Sequence, residues 1–269
     1  MESSIHNEYV LRGGLSGADR LRLLAAVKWP STKALFERVG LCQGMSCLDI
    51  GCGSGAVTLA MAEFSGPTGR VAGLDLDETC LGLAHQEARQ LGRNVEFRRG
   101  SAMDLDEERV YDLVFARFVL THLREPGKAL ARMVGATRPG GLVVVEDIQF
   151  AGHFSFPASA AFDRYVNLYQ EVVQRRGGDA NIGPRLLGMF LDAGVLEIEF
   201  EVIQPTFAQG PGKKMAAVTM EHIRETVVEF GLANDEEING IINELDLFAG
   251  DPRSMMSLPR IFQVWGRRT

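Results

Sequence analysis

The chain has 269 residues, of which 46% are apolar and 23% charged, and its formal net charge is −7. That length fits one α/β domain with elaborations, or one domain with a small cap, and the apolar share supplies a large core. The acidic balance argues against nucleic acid as the main partner, because phosphate binding needs a basic surface, and no apolar run of roughly 18 residues exists to span a bilayer.

In chain order, Met1 to Glu8 are polar and carry no apolar core of a secretory signal. Ser16 followed by Asp19 resembles a capping box, and Leu21, Leu24 and Ala25 make a helical stripe. Trp29-Pro30 is expected to interrupt this helix, Ser31 to cap a second one through Val39, and Gly40 to end it. From Met45 onward strands and helices alternate. Strands are expected at Cys47–Ile50, Val71–Leu76, Val95–Arg99, Asp112–Phe118 and Leu142–Ile148. Helices are expected to about Phe64, from Glu78 to about Leu91, and around Lys128–Thr137. That alternation implies a doubly wound parallel sheet covered on both faces, and Val143-Val144-Val145 reads as a strand buried on both sides.

After Ile148 the alternation loosens. Residues 149–182 are aromatic-rich and expected to be helical, with Phe162, Tyr165, Leu168, Tyr169, Val172 and Val173 in register. A helix at Pro184–Ala193 is stopped by Gly194, and Leu196–Ile203 alternates as a half-solvated strand. Residues 213–249 read as helical, with Asp235 as a cap, and Arg260–Gly266 as a last strand. The domains expected are a helical lid at 1–40, a binding core at 41–148 and a cap insertion at 149–182. The core is then completed at 183–269, around a helical insertion at about 208–258.

The densest signal is Leu48-Asp-Ile-Gly-Cys-Gly-Ser-Gly-Ala-Val-Thr58. An apolar strand runs into Gly51, Gly53 and Gly55, and a helical run follows. A strand, a glycine turn and a helix start let backbone N–H groups approach a ligand closely. Gly51, Gly53 and Ala56 also match a dinucleotide fingerprint, so the glycines alone leave the ligand open. Asp75 ends the second strand, where either ligand class wants a carboxylate for ribose hydroxyls. Two features favour one class. Asp49 lies within the strand just before the glycines, and Arg138-Pro139-Gly140-Gly141 leads into the fifth strand.

Together these segments resemble the class I S-adenosylmethionine-dependent methyltransferases of the small-molecule type. Leu48–Thr58 looks like the first motif of that family, Gly73–Asp77 like its acidic loop and Gly100–Leu105 like its adenine segment. Tyr111–Leu123 looks like its strand-four motif and Arg138–Ile148 like its proline-glycine turn. The resemblance implies a seven-stranded, mostly parallel Rossmann-like sheet with an antiparallel last strand. Leu196–Ile203 and Arg260–Gly266 would be its antiparallel pair, beneath a helical cap.

The resemblance also implies roles. Gly51 and Gly53 would pass under the methionine and ribose parts of S-adenosyl-L-methionine, and Asp49 would steady the loop or attract the ammonium. Asp75 would accept both ribose hydroxyls. Leu76 would cover the adenine, and Ser101, Ala102 and Met103 would recognise it. Ser101 stands where the family usually has Asp, with Asp104 as a rival. Arg117 would line the methionine end, and Tyr9 would close over it.

The reaction implied is in-line methyl transfer to an oxygen, nitrogen or carbon of a small-molecule acceptor, apolar or aromatic given the rings of 149–182. His122 and His153 are candidate bases, but neither is assigned a catalytic role. The four cysteines, Cys42, Cys47, Cys52 and Cys80, form no CxxC pair. No metal is expected from them, and they read as small buried hydrophobes in a reducing cytoplasm. Neither a nucleic-acid nor a membrane partner is expected, and a homodimer is allowed for. The alternatives are a NAD-dependent oxidoreductase and a non-catalytic cofactor-binding partner subunit.

Overall fold

The apolar runs of the first half of the chain become the strands of one sheet in the computed structural model, which describes residues 14–269. β1 (Ser46–Ile50), β2 (Arg70–Asp75), β3 (Val95–Arg99), β4 (Tyr111–Arg117) and β5 (Thr137–Gln149) pair in parallel. Later in the chain come β6 (Ser155–Phe156), β7 (Leu196–Ile203), β8 (Thr206–Phe207), β9 (Met255–Ser257) and β10 (Arg260–Arg267). The main sheet has seven strands in the order β3-β2-β1-β4-β5-β10-β7. β10 runs antiparallel to both of its neighbours, as expected of the last strand.

Helices cover the sheet because its central strands are apolar on both faces. Leu48, Leu113, Val114 and Val143 to Val145 are fully buried. On one side lie α1 (Gly14–Arg38) and α2 (Ala56–Ser65), whose Leu35, Phe36 and Met61 share a core with Leu113 and Val144. On the other lie α4 (Pro126–Ala136) and α6 (Leu186–Asp192), packed on Leu48, Val114 and Val143. α3 (Glu78–Gln90) meets Phe97 of β3.

The strand order reverses between β1 and β4, and in such sheets that switch point at the carboxyl ends of the strands is where ligands bind. A separate apolar cluster stands beside it. α5 (Ala160–Arg175), α7 (Met215–Glu229) and α8 (Asp235–Gly250) bury Phe162, Tyr165, Met220, Ile223 and Ile238 together with Phe150. A small sheet, β6-β9-β8, fastens this cap to the chain near the end of β5.

Three local expectations are corrected. Pro30 does not divide the N-terminal helix: α1 runs through it. Proline offers no N–H to the Ala26 carbonyl, but both residues are exposed, and the Ser31 hydroxyl donates to the Lys28 carbonyl at 2.8 Å instead of capping a new helix. Asn234, not Asp235, caps α8: its side chain accepts from the Glu237 N–H at 2.9 Å. Cys42 is exposed, whereas Cys47, Cys52 and Cys80 are buried as expected. The Ser16–Asp19 cap lies outside the described side chains.

Candidate cofactor and acceptor site

The glycine turn forms because β1 must stop and reverse beside β2 without side-chain bulk. Gly51, Gly53 and Gly55 hold φ of +69°, +53° and +84°, in the left-handed region that favours glycine. The Gly51 and Cys52 N–H groups donate to the Leu74 carbonyl at 2.7 and 3.1 Å, so the turn is clipped onto the end of β2. A methyl group at Gly51 would come within 2.4 Å of Val119, just past β4. The carboxyl ends of β1 and β4 therefore approach closely only because residue 51 has no side chain.

Asp75 closes the other side of the turn. Its carboxylate accepts the Gly53 N–H at 2.7 Å and the Asp77 N–H at 2.9 Å. Burial raises its pKa from the usual carboxylate value, and those backbone donors oppose the shift. Asp49 lies beneath the glycines and accepts the Thr58 hydroxyl at 2.6 Å, which ties β1 to the first turn of α2. Burial pushes Asp49 up to about 7, against the Thr58 hydrogen bond and the charge of Arg117.

A cavity of about 300 Å³ opens at this switch point and is lined by Asp49, Gly51, Gly53, Asp75, Leu76, Ser101, Ala102 and Arg117. Eight of the sequence-derived site residues thus face one space. Met103 is not among the lining residues. It packs into the core below the sheet, and its N–H donates to the Ser101 hydroxyl at 3.1 Å. Asp104 is exposed and does not line the cavity either. Tyr9 lies outside the described residues.

Several lining or supporting groups escaped the sequence reading. Lys28 of α1 is fully buried and lines the cavity, and burial lowers its pKa to about 8 despite the nearby Glu146 carboxylate. Arg117 donates to the Thr32 hydroxyl at 3.2 Å, and that hydroxyl donates to buried Glu146 at 2.8 Å. Gln263 of β10 donates to the other Glu146 oxygen at 2.6 Å. The Glu146 carboxylate, in the strand behind Lys28 and Arg117, thus acts on both cations through its charge and reaches Arg117 by way of the Thr32 hydroxyl. Phe118, next to Arg117, holds φ of +57°, a strained backbone that is rare for an aromatic residue and found mostly where a site requires it.

The cavity continues under the cap. There Phe118, Ile148, Phe150, His153, Tyr165 and Tyr169 line it, with Met215 and Thr219 of α7 opposite. Phe150 and Tyr169 stack at 3.8 Å between ring centroids. His122 and His153 both line the cavity. His122 sits on a short 3-10 turn after β4, and His153 follows the 3-10 turn at the end of β5. Arg138–Gly141 lies at the opposite end of the central strands, by the start of β4, where Arg138 pairs with Asp112 and the register shifts between Tyr111 and Leu113 of β4. It marks the fold but does not touch the site. Among the described residues no cluster of side chains is arranged to hold a metal ion. No described helix is long and apolar enough to cross a membrane.

A family model described as a methyltransferase domain matches residues 41–176. The demethylmenaquinone methyltransferase of Geobacillus stearothermophilus is 34% identical over 120 residues, which is 44% of this chain and 50% of that protein. That of Staphylococcus aureus strain JH9 is 34% identical over 113 residues, 42% of this chain and 46% of its own length. The chain spans about half the length of the curated relatives it matches. Among solved structures, the YcgJ protein of Bacillus subtilis matches at a TM-score of 0.58 and 15% identity, over 87% of this chain and 97% of its own. Phosphoethanolamine N-methyltransferase 2 of Haemonchus contortus, in complex with S-adenosylhomocysteine, matches at 0.57 and 18% identity, over 92% of this chain and 56% of its own. At such identities the structural likeness concerns the fold.

Proposed function

The chain belongs to the class I S-adenosylmethionine-dependent methyltransferase family, and from that premise we propose that it methylates a small, largely apolar acceptor built on a ring. The observation that carries this reading is the continuity of one cavity, with the glycine cradle and Asp75 at one end and the aromatic cap at the other.

The residues fit the cofactor. The Gly51 turn has no Cβ where the backbone must be approached, and Asp75 keeps lone pairs beyond its two backbone hydrogen bonds for the ribose hydroxyls. Leu76 would cover the adenine face, with Ser101 and Ala102 at its edge. Asp49 would receive the ammonium, and Lys28 and Arg117 the carboxylate of the methionine part. When bound, S-adenosylmethionine supplies an electrophilic methyl on a sulfonium that leaves readily. What the protein adds is alignment and exclusion of water, which the cap helices provide by closing over the acceptor end.

Two facts support a ring-bearing acceptor. The acceptor end is walled by Phe118, Phe150, Tyr165 and Tyr169, and aromatic faces bind flat apolar rings by offset stacking. The curated relatives are named for demethylmenaquinone, a quinone. The free thiols of Cys42, Cys47, Cys52 and Cys80 support a reducing cytoplasm as its location. Incubation with methyl-labelled S-adenosylmethionine and a panel of hydroxylated aromatic compounds tests the reading. Label is expected in an aromatic product. Cofactor binding without transfer to any panel member would favour a non-catalytic partner subunit.

A further inference from the structure

Histidine 153 occupies the acceptor end of the cavity with its tautomer fixed. Its Nδ1 lies 2.8 Å from the Phe150 carbonyl oxygen. A carbonyl oxygen only accepts, so Nδ1 carries the hydrogen, and in the neutral ring Nε2 holds the lone pair on the opposite side. No hydrogen-bond partner for Nε2 stands among the described residues, and the residue lines the cavity. The ring is wedged edge-on among Phe150, Phe162 and Tyr165 at centroid distances of 4.3, 5.7 and 6.1 Å, which locks its orientation.

We propose that His153 Nε2 accepts the proton of a ring hydroxyl on the methyl acceptor, so that the substrate class is a hydroxylated aromatic such as a phenol or quinol. The proposal rests on the methyltransferase reading above. The chemistry favours a hydroxyl over an amine, because an amine attacks through its own lone pair and sheds its proton afterwards. A neutral hydroxyl is a weak nucleophile and needs an acceptor for its proton as it reacts. The O–H bond breaks and its proton forms a bond to Nε2. The electron pair left on oxygen makes the new bond to the methyl carbon, either at oxygen or, through the ring, at the adjacent carbon, whose hydrogen then leaves as a proton to solvent while the ring oxygen takes back the proton held on Nε2. The methyl–sulfur bond breaks with its pair on sulfur, leaving a neutral thioether. After transfer to oxygen, the imidazolium returns its proton to solvent as product leaves.

Burial lowers the His153 pKa to about 4, so the ring is neutral at pH 7. The same burial penalises a lone imidazolium. A proton drawn from an adjoining hydroxyl creates the cation beside its own counter-anion, which offsets that penalty.

The test pairs H153Q, whose amide accepts a hydrogen bond but cannot hold the proton, with a series of phenols of graded acidity. The variant is expected to lose at least about 100-fold in kcat on the weakest acid and progressively less as the phenol becomes more acidic, with S-adenosylmethionine affinity unchanged within about two-fold. An equal loss along the series, or none, overturns the proposal. In the unmodified protein, nitrogen NMR of the His153 ring is expected to show hydrogen on Nδ1 alone, with Nε2 shifting when a phenol binds. Hydrogen on Nε2 in the free protein overturns the proposal independently of whether the variant folds. Cofactor binding with no transfer to any phenol would overturn the substrate class alone, whereas loss of cofactor binding by the unmodified protein would remove the methyltransferase reading beneath it.

Discussion

Asp75 is engaged by two backbone N–H groups, which fix the direction of its carboxylate. Asp75→Ala removes both the aimed acceptor and a clip on the glycine turn. It is expected to weaken S-adenosylmethionine binding at least ten-fold, about 1.4 kcal/mol or more, and calorimetric titration of the variant checks this. Asp49 offers a second test, through pH. Burial raises its pKa from 3.8 to about 7, and raises that of Asp147 likewise to about 7. Between those values the folded protein keeps a proton that the unfolded chain has released, so each group lowers stability as pH rises through that window. His153, lowered from 6.5 to about 4, works the other way: its contribution grows as pH rises from 4 to 6.5. Asp75, also raised by burial, adds to the fall, and Asp49→Asn removes one of these falling contributions. Its Tm is therefore expected to decline less, or rise more, from pH 4 to 7 than that of the unmodified protein, as a thermal unfolding series would read out. Parallel curves would contradict the assignment. Asp49 and the glycines were legible because they are neighbours in one strand-turn-helix pattern, and Asp75 because it is the carboxylate ending the next strand. Lys28, Thr32, Glu146 and Gln263 were not, because their pairing joins residues more than a hundred positions apart, as Thr32 and Glu146 do.

The parallel strands were legible for a related reason. Continuous apolar runs leave little choice of structure, and β1 starts one residue before the strand the sequence places and ends with it. The alternating pattern of antiparallel β7 was as readable, and its bounds match. β6, β8 and β9, at two or three residues each, are too short to show any period and exist only through their mutual pairing. α1 is the instructive failure. Proline is a strong local breaker, yet Lys28 and Thr32 before and after it, and Leu35 and Phe36 beyond, are completely buried, so packing holds the helix on both sides of Pro30. Pro30→Ala restores an N–H donor to an exposed helix position. It is expected to raise stability by about 1–3 kcal/mol, measured by denaturant unfolding; a fall would mean that the ring itself makes a needed contact.

On the proposed reading, the architecture divides labour between a sheet that holds the cofactor and a cap that selects the acceptor. Both meet in one cavity because β1 and β4 end at the switch point of the strand order while α5 and α7 lie over the end of β5. The glycine fingerprint by itself left two cofactor classes open, since both use a glycine turn and a carboxylate at the end of the second strand. The most direct measurement is therefore calorimetric titration of the unmodified protein with S-adenosylmethionine and, separately, with NAD. Saturable binding of S-adenosylmethionine at one site per chain with no heat from NAD is the expected result, and binding of NAD without S-adenosylmethionine would contradict it.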